Sequence, residues 1–172
     1  DDEGRGSIFT VLKGLYHAVD AGADVINLSL GTTNEVEAIE DALDEIEVRG
    51  IPVVAAVGND SSSVLQYPAR DSKALALTAT DSLDVKAPFS NYSSDVDLAA
   101  PGLGIRSAYL NDGFGLGAGT SFAAPFATGA LALLHALFPD STAETLQDWV
   151  MDGAMPIDHL PGNTQWEGEL GA

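Results

Sequence analysis

The stretch GAGTSFAAPFATGALALLHALF, Gly117 to Phe138, places the hydroxyl pair Thr120 and Ser121 in front of a long apolar run. The run is short for a membrane span and contains Pro125, so we predict a helix buried in a protein core. Pro125 is expected in the first turn, where its missing N–H matters least. Ser121 is expected at the amino end of the helix, where free N–H groups and the helix dipole stabilise negative charge. A serine there is also a common helix cap, and these residues alone leave both roles open.

Composition limits the classes of protein that fit. The chain has 172 residues, of which 45% are hydrophobic, which is typical of one globular domain. It has 7 basic and 26 acidic residues and a formal net charge of −19. Such a charge argues against nucleic acids and anionic membranes as partners. Because there is no cysteine, disulfides and thiolate metal sites are excluded.

Outside that stretch, helical and strand patterns alternate along the chain. Helical spacing of apolar residues predicts helices over Ile8 to Ala21 and Asn34 to Arg49. Strands are predicted in ADVINLSLG (23–31), VVAAVG (53–58), ALALTAT (74–80), VDLAAPG (96–102) and IRSAYL (105–110). The alternation favours an α/β fold with a parallel sheet. The tail, Met155 to Ala172, is expected to be loop-like and at best partly ordered.

The opening stretch resembles the nucleophile motif of the subtilisin-like serine proteases, the subtilases. The family pattern is Gly-Thr-Ser-x-Ala-x-Pro-x-x-x-Gly, and the matching residues are Gly119, Thr120, Ser121, Ala123, Pro125 and Gly129. The family usually has histidine after the proline, where this chain has Phe126, but that position is not a triad member. The resemblance implies a three-layer α/β fold with a parallel sheet and a serine endopeptidase with Ser121 as nucleophile.

VVAAVGND, residues 53–60, resembles the family segment whose asparagine donates to the oxyanion. The resemblance therefore gives Asn59 that role, together with the backbone N–H of Ser121. From the residues alone, Asn59 also reads as a turn residue after Gly58.

ADVINLSLG resembles the strand whose end pairs with the substrate backbone and lines the first specificity pocket. This implicates Ser29, Leu30 and Gly31 in substrate binding, and the resemblance of the rest of the chain adds Ala56, Gly58 and Gln66. Many relatives have glycine at the position of Gln66, so we expect a narrower, more polar pocket that accepts large aromatic side chains poorly. Tyr67-Pro68 matches a family dipeptide that commonly holds a cis bond, and FSNYS (89–93) and APG (100–102) match core segments. The resemblance covers about residues 1–150, with 151–172 as the C-terminal tail.

The family's other triad blocks, Asp-[Ser/Thr]-Gly and His-Gly-Thr, do not occur in the sequence. The resemblance therefore implies the C-terminal portion of a catalytic domain, which we expect to be inactive alone because its serine lacks a base. His135 lies roughly 21 Å along the helix from Ser121 at 1.5 Å per residue and cannot substitute. His17 is expected to have a core or boundary role, and His159 to be exposed.

If the N-terminal part of the fold is missing, the strand around Val25 to Ser29 becomes an exposed, apolar edge. We expect self-association through this edge, or pairing with a separately supplied N-terminal segment. The other expected partner is a peptide or protein substrate.

Two other functions remain open. One is a non-catalytic subtilase-like module that binds peptides or a partner domain. The other is nucleotide binding through GFGLGA (113–118), a weak match to G-x-G-x-x-A. No metal ligands are assigned, and the resemblance allows a structural calcium ion without naming its ligands. The resemblance also implies that the protein is secreted or attached to the cell envelope.

Overall fold

A four-stranded parallel sheet runs through the part of the chain that this computed structural model describes, residues 6–171. Its strands lie side by side in chain order: β1 (Ile26–Leu28), β2 (Val53–Ala56), β3 (Ala74–Thr80) and β4 (Leu98–Pro101). Every residue of β2 and β3 is buried, because helices cover both faces of the sheet. This explains why the sequence of β2 is apolar without alternation, whereas β3 also buries Thr78 and Thr80. The predicted parallel α/β fold is confirmed.

Helices form a layer on each face of the sheet. On one face lie α1 (Ile8–Asp20) and α2 (Glu37–Val48), and on the other lie α3 (Thr120–Leu137) and α4 (Ala143–Asp152). Leu15, Ile39 and Leu43 pack in the first core, whereas Leu77 and Leu131 pack in the second. Helix α2 is shorter than predicted because its first hydrogen bonds begin at the carbonyl of its N-cap residue, Val36. The sequence patterns did not predict α4.

Helix α3 is only half buried. Ala123, Ala124 and Leu131 pack against the sheet, but Leu133 and Leu137 on the other side are 70% and 71% exposed. The helix is long and apolar enough to cross a membrane by length and composition. The prediction of a buried core helix therefore holds for one side of α3 and is wrong for the other, which is apolar and uncovered.

The remaining two strands form a separate antiparallel hairpin, β5 (Leu103–Tyr109) and β6 (Gly113–Ala118). The predicted strand IRSAYL thus lies outside the parallel sheet, and it pairs with the glycine-rich segment GFGLGA, which is β6. Its glycines share one face, where the ring of Tyr109 lies over Gly115 and the ring of Phe122 over Gly117. A Cβ on Gly117 would lie 2.0 Å from the Phe122 ring. The glycines therefore make room for aromatic rings. This role is different from the phosphate binding that the nucleotide-binding alternative gives to GFGLGA.

The C-terminal tail, described up to residue 171, is loop-like as predicted, apart from a 3-10 turn at Thr164–Trp166. The fully buried Asn163 accepts a hydrogen bond from the Lys86 N–H at 2.9 Å and donates to two backbone carbonyls. The Lys86 Nζ lies 4.5 Å from the centre of the Trp166 ring. Burial lowers the pKa of Lys86. Leu170 is also fully buried, so the tail is held by packing against distant parts of the chain.

Candidate active site

Ser121 lies at the amino end of α3, beside the carboxyl ends of the parallel strands, where ligands of open α/β sheets bind. The helix begins at Thr120, and Gly119 precedes it as N-cap residue with a φ of 149° and no side-chain cap. Ser121 is therefore the second helical residue, and its role as a helix cap is wrong. Its side chain donates a hydrogen bond to the Ser29 carbonyl at 3.2 Å.

Pro125 lies in the second turn of α3, one turn later than predicted. In a regular helix the N–H at this position would bond to the carbonyl of Ser121, but proline has no N–H. The Ser29 hydroxyl donates to that carbonyl instead, at 2.8 Å. Two reciprocal hydrogen bonds consequently join Ser121 to Ser29 and fix the start of α3 against the end of β1.

Asn59 follows β2, and its amide is oriented by the start of α3. The side-chain oxygen of Asn59 accepts from the Thr120 N–H at 2.8 Å and from the Thr120 hydroxyl at 3.1 Å. Because the oxygen is used in this way, the amide nitrogen is left to donate elsewhere. Asn59 Nδ2, Asn59 Oδ1 and the Ser121 backbone nitrogen lie 3.5 Å, 3.7 Å and 3.7 Å from the position that a Cβ on Gly119 would occupy. The two nitrogens thus lie beside the same side of Gly119.

The slot between the ends of β1 and β2 is occupied by Gln66. Its Oε1 is 2.5 Å from the Cβ position on Gly31, and its Cγ is 2.7 Å from that on Gly58. Only glycine leaves room for Gln66 at these two positions. The Gln66 side-chain nitrogen donates to the Asp60 carboxylate at 2.7 Å.

The other residues predicted to bind substrate have different exposures. Leu30 is 41% exposed, and Gly31 is also exposed. Ala56 is only 4% exposed and packs in the core on the α3 side of the sheet. The structure therefore buries Ala56 in the core and exposes the strand end.

Tyr67 anchors the segment that carries Gln66. It exchanges backbone hydrogen bonds of 2.8 Å and 2.9 Å with Thr32, just beyond the end of β1. The Tyr67-Pro68 bond is cis, as predicted. Burial, and secondarily the Asp71 carboxylate, raises the pKa of Tyr67 above its ordinary range.

Sequence reasoning missed Asn91, which holds the loop that carries Asn59. This fully buried amide donates to the carbonyls of Val57 and Val64 at 3.0 Å and 3.1 Å. Its oxygen accepts from the N–H groups of Asp60 and Ser62 at 2.9 Å and 3.1 Å. The only sequence signal was that FSNYS resembles a family core segment.

A chain of polar side chains that the sequence also did not reveal supports Ser29. The Thr128 hydroxyl lies 2.9 Å from Asn27 Oδ1, and Asn27 Nδ2 donates to the Ser29 hydroxyl at 2.8 Å. These contacts orient the Ser29 hydroxyl, which in turn reaches the Ser121 carbonyl.

None of the three histidines reaches Ser121 within residues 6–171. His135 Nε2 lies 3.3 Å from the Asp24 carboxylate. His159 is exposed, as predicted. His17 is exposed as well, so its predicted core or boundary role is wrong: α1 turns Leu15 and Val19 to the core and His17 away from it. The same residues contain no group of three or more acidic or histidine side chains placed to hold a metal ion.

Comparison with known proteins identifies related sequences. A family model described as "Peptidase_S8: Subtilase family" matches residues 1–172. The chain is 40% identical over 132 residues to "Subtilisin BL" of Lederbergia lenta, which covers 77% of this chain and 49% of that protein. It is 41% identical over 134 residues to "Thermitase" of Thermoactinomyces vulgaris, covering 78% and 48%. It is also 36% identical over 149 residues to "Minor extracellular protease Epr" of Bacillus subtilis (strain 168), covering 86% and 23%.

Solved structures show the same fold. The patellamide maturation protease PatA matches with a TM-score of 0.86 and 29% identity, covering 99% of this chain and 66% of that chain. The prenylagaramide maturation protease PagA matches with a TM-score of 0.87 and 28% identity, covering 97% and 64%. The chain spans about half the length, or less, of the three curated relatives named above.

Proposed function

Because the chain belongs to the subtilase family, we propose that the natural protein containing it is a serine endopeptidase. In this proposal, residues 6–171 supply the nucleophile and the oxyanion donors of the active site. The observation that carries it is the space beside Gly119, which the Asn59 amide nitrogen and the Ser121 N–H border together.

The proposed reaction is acyl transfer. Ser121 Oγ attacks the carbonyl carbon of the peptide bond, and the oxygen that becomes negative receives hydrogen bonds from Asn59 and from the Ser121 N–H. The bond to the nitrogen then breaks, the amine leaves, and water hydrolyses the acyl-enzyme.

Such chemistry needs a proton acceptor for the Ser121 hydroxyl. Among the described residues that hydroxyl donates to the Ser29 carbonyl, which is not a base that could carry the reaction. We therefore propose that a histidine, oriented by an aspartate, is supplied by sequence outside these 172 residues. Relatives that are about twice as long support this proposal. The isolated chain is accordingly proposed to be inactive.

The substrate backbone is proposed to lie along the end of β1. Leu30 and Gly31, which follow the part of the strand that is expected to pair with the missing segment, are exposed. A peptide can therefore add there as a further strand through main-chain hydrogen bonds. The name of the "Minor extracellular protease Epr" supports a secreted or envelope-bound protein, for which recovery from the culture medium would be the test.

A non-catalytic peptide-binding module is the second candidate. It is favoured by the positions of the three histidines, all away from Ser121. The orientation of Asn59 by Thr120 counts against it, because binding a peptide does not require an oxyanion pocket.

Mutation of Ser121 tests the proposed function. In the natural full-length protein, Ser121→Ala is expected to reduce kcat for a chromogenic peptide by roughly 10³-fold or more, because the nucleophile is lost. Ser107→Ala, which changes an exposed serine on β5, is the matched control and should keep full activity.

Two outcomes would contradict the proposal. Equal activity of the Ser121→Ala variant and the parent would remove Ser121 from the mechanism. Ser121-dependent hydrolysis by the isolated 172-residue chain would show that no outside base is needed.

A further inference from the structure

Three polar side chains connect the middle of α3 with the nucleophile at its start. The Thr128 hydroxyl lies 2.9 Å from Asn27 Oδ1, and Asn27 Nδ2 lies 2.8 Å from the Ser29 hydroxyl. That hydroxyl in turn lies 2.8 Å from the Ser121 carbonyl oxygen. Ile26 and Leu28 pack in the core beside α1 and α2, so Asn27 between them faces α3.

The hydrogen bonds of these side chains run in one direction. Because an amide oxygen cannot donate, the Thr128 hydroxyl donates to Asn27 Oδ1. The Asn27 amide nitrogen then donates to the oxygen of Ser29. A serine hydroxyl carries a single hydrogen, and since its oxygen accepts from Asn27, that hydrogen is available for the Ser121 carbonyl. Asn27 thus makes Ser29 a donor toward the nucleophile.

The bond from Ser29 holds the backbone of the nucleophile on one side, and Asn59 holds it on the other. Pro125 cannot give the Ser121 carbonyl its helical hydrogen bond, and the Ser29 hydroxyl takes that place. One residue earlier, the Thr120 N–H donates to Asn59 at 2.8 Å. The segment that carries the Ser121 side chain is therefore tied both to β1 and to the loop after β2.

We propose that Asn27 is a positioning residue for the reaction of Ser121 and acts by directing the Ser29 hydroxyl to the Ser121 carbonyl. This inference rests on the proposed function, because it concerns the nucleophile of that reaction. Ser121 Oγ must lie close to the peptide carbonyl carbon to attack it, and small displacements of a reacting group slow a reaction strongly. Loss of the Asn27 contact should therefore slow the attack more than it weakens binding of the substrate.

Two substitutions of Asn27 should differ in a way that reveals this role. In Asn27→Asp the carboxylate only accepts, so it takes the hydrogen of the Ser29 hydroxyl and turns it away from Ser121. In Asn27→Ala no group at this position competes for that hydrogen, and Ser29 still donates to Ser121. If Asn27 only filled space, the order would be reversed, because aspartate keeps the shape of asparagine and alanine does not.

The test measures kcat and KM of the natural full-length protein for a chromogenic peptide. The rates are expressed per active serine, counted by stoichiometric titration with an irreversible serine reagent, so that unfolded protein does not contribute. Asn27→Asp is expected to lower kcat by roughly 10- to 100-fold with KM changed by less than about twofold. Asn27→Ala should lower kcat by less than about fivefold, the effect of weakening a single hydrogen bond.

Two further variants complete the test. Ser29→Ala removes the donor and should lower kcat about as much as Asn27→Asp. Adding Asn27→Asp to Ser29→Ala should then cause no further loss, because Asn27 acts through Ser29. Asn111→Asp, which adds the same charge at the exposed turn of the β5–β6 hairpin, is the control and should change nothing.

Three results would overturn the inference. These are a kcat of Asn27→Asp that equals or exceeds that of Asn27→Ala, a loss confined to KM, and a further loss when Asn27→Asp is added to Ser29→Ala. They are distinguishable from failure of the proposed function, in which Ser121→Ala leaves hydrolysis unchanged or nothing is cleaved. If nothing is cleaved, the NMR signal of the Ser121 carbonyl carbon in the 172-residue chain decides. Asn27→Asp should move this signal to its position in Ser29→Ala, and an unchanged signal overturns the inference.

Discussion

At the residue scale, Gly119 combines an unusual backbone conformation with a position beside the two proposed oxyanion donors. Its φ of 149° is one that residues with a side chain rarely adopt. A Cβ there would also make van der Waals contact with Asn59 Nδ2, at 3.5 Å, and with the Ser121 nitrogen, at 3.7 Å. A methyl group at this position would therefore lie in the space in which the oxyanion is proposed to form.

We expect Gly119→Ala to lower kcat/KM of the natural full-length protein by roughly 10²- to 10³-fold, the size of an oxyanion-donor loss. The variant should also lose about 1–3 kcal/mol of unfolding free energy through backbone strain. Peptide hydrolysis and denaturant unfolding measure the two effects. Gly168→Ala is the matched control, since Gly168 has a φ of 78° but open space around it. It should be destabilised without losing activity, and equal activity losses in both variants would show that strain alone explains the effect.

At the element scale, the loop after β2 depends on Asn91 rather than on its own sequence. Four backbone groups of the loop, two carbonyls and two N–H groups, bond to this one side chain. Since Asn91 is fully buried, water cannot replace those bonds without opening the loop.

Asn91→Ala should therefore lower the unfolding free energy by roughly 2–4 kcal/mol, because it leaves several polar groups without partners. Chemical denaturation of the 172-residue chain measures this. The control is Asn34→Ala, at an exposed position, which should change stability by no more than about 0.5 kcal/mol. If the two variants are equally stable, Asn91 does not support the loop.

At the scale of the whole molecule, uncovered apolar surface lies in two places. A groove of about 500 Å³ lies between α1 and β1, beside the open edge of β1. On the other face of the sheet, the exposed side of α3 carries Phe126, Leu133 and Leu137. Because Ser121 is hydrogen-bonded to Ser29 at the end of β1, a segment that paired with the edge of β1 could also bring the missing base to it.

The isolated 172-residue chain is consequently expected to self-associate at high concentration. An open strand edge pairs with another strand, and contact between exposed apolar surfaces removes them from water. Size-exclusion chromatography with light scattering measures the mass. Leu133→Lys should shift the population toward monomer, whereas Leu83→Lys, at a similarly exposed leucine in the turn after β3, should not. A strictly monomeric parent at every concentration would contradict the expectation.

The sequence by itself determined the features that local patterns encode. The uninterrupted apolar run of β2 predicted a buried strand, and the alternation of strands with helices predicted a parallel sheet. The motif around Ser121 together with Asn59 marked residues that the structure brings together. Only the tertiary structure decided the rest. This includes the hydrogen bonds between Ser121 and Ser29, the support of the Asn59 loop by Asn91, the hydrogen bond between Gln66 and Asp60, and the packing of the tail. The physical reason is the distance along the chain. Ser29 and Ser121 are 92 residues apart and Lys86 and Asn163 are 77 apart, and hydrogen bonds between such residues follow from packing that no local pattern encodes.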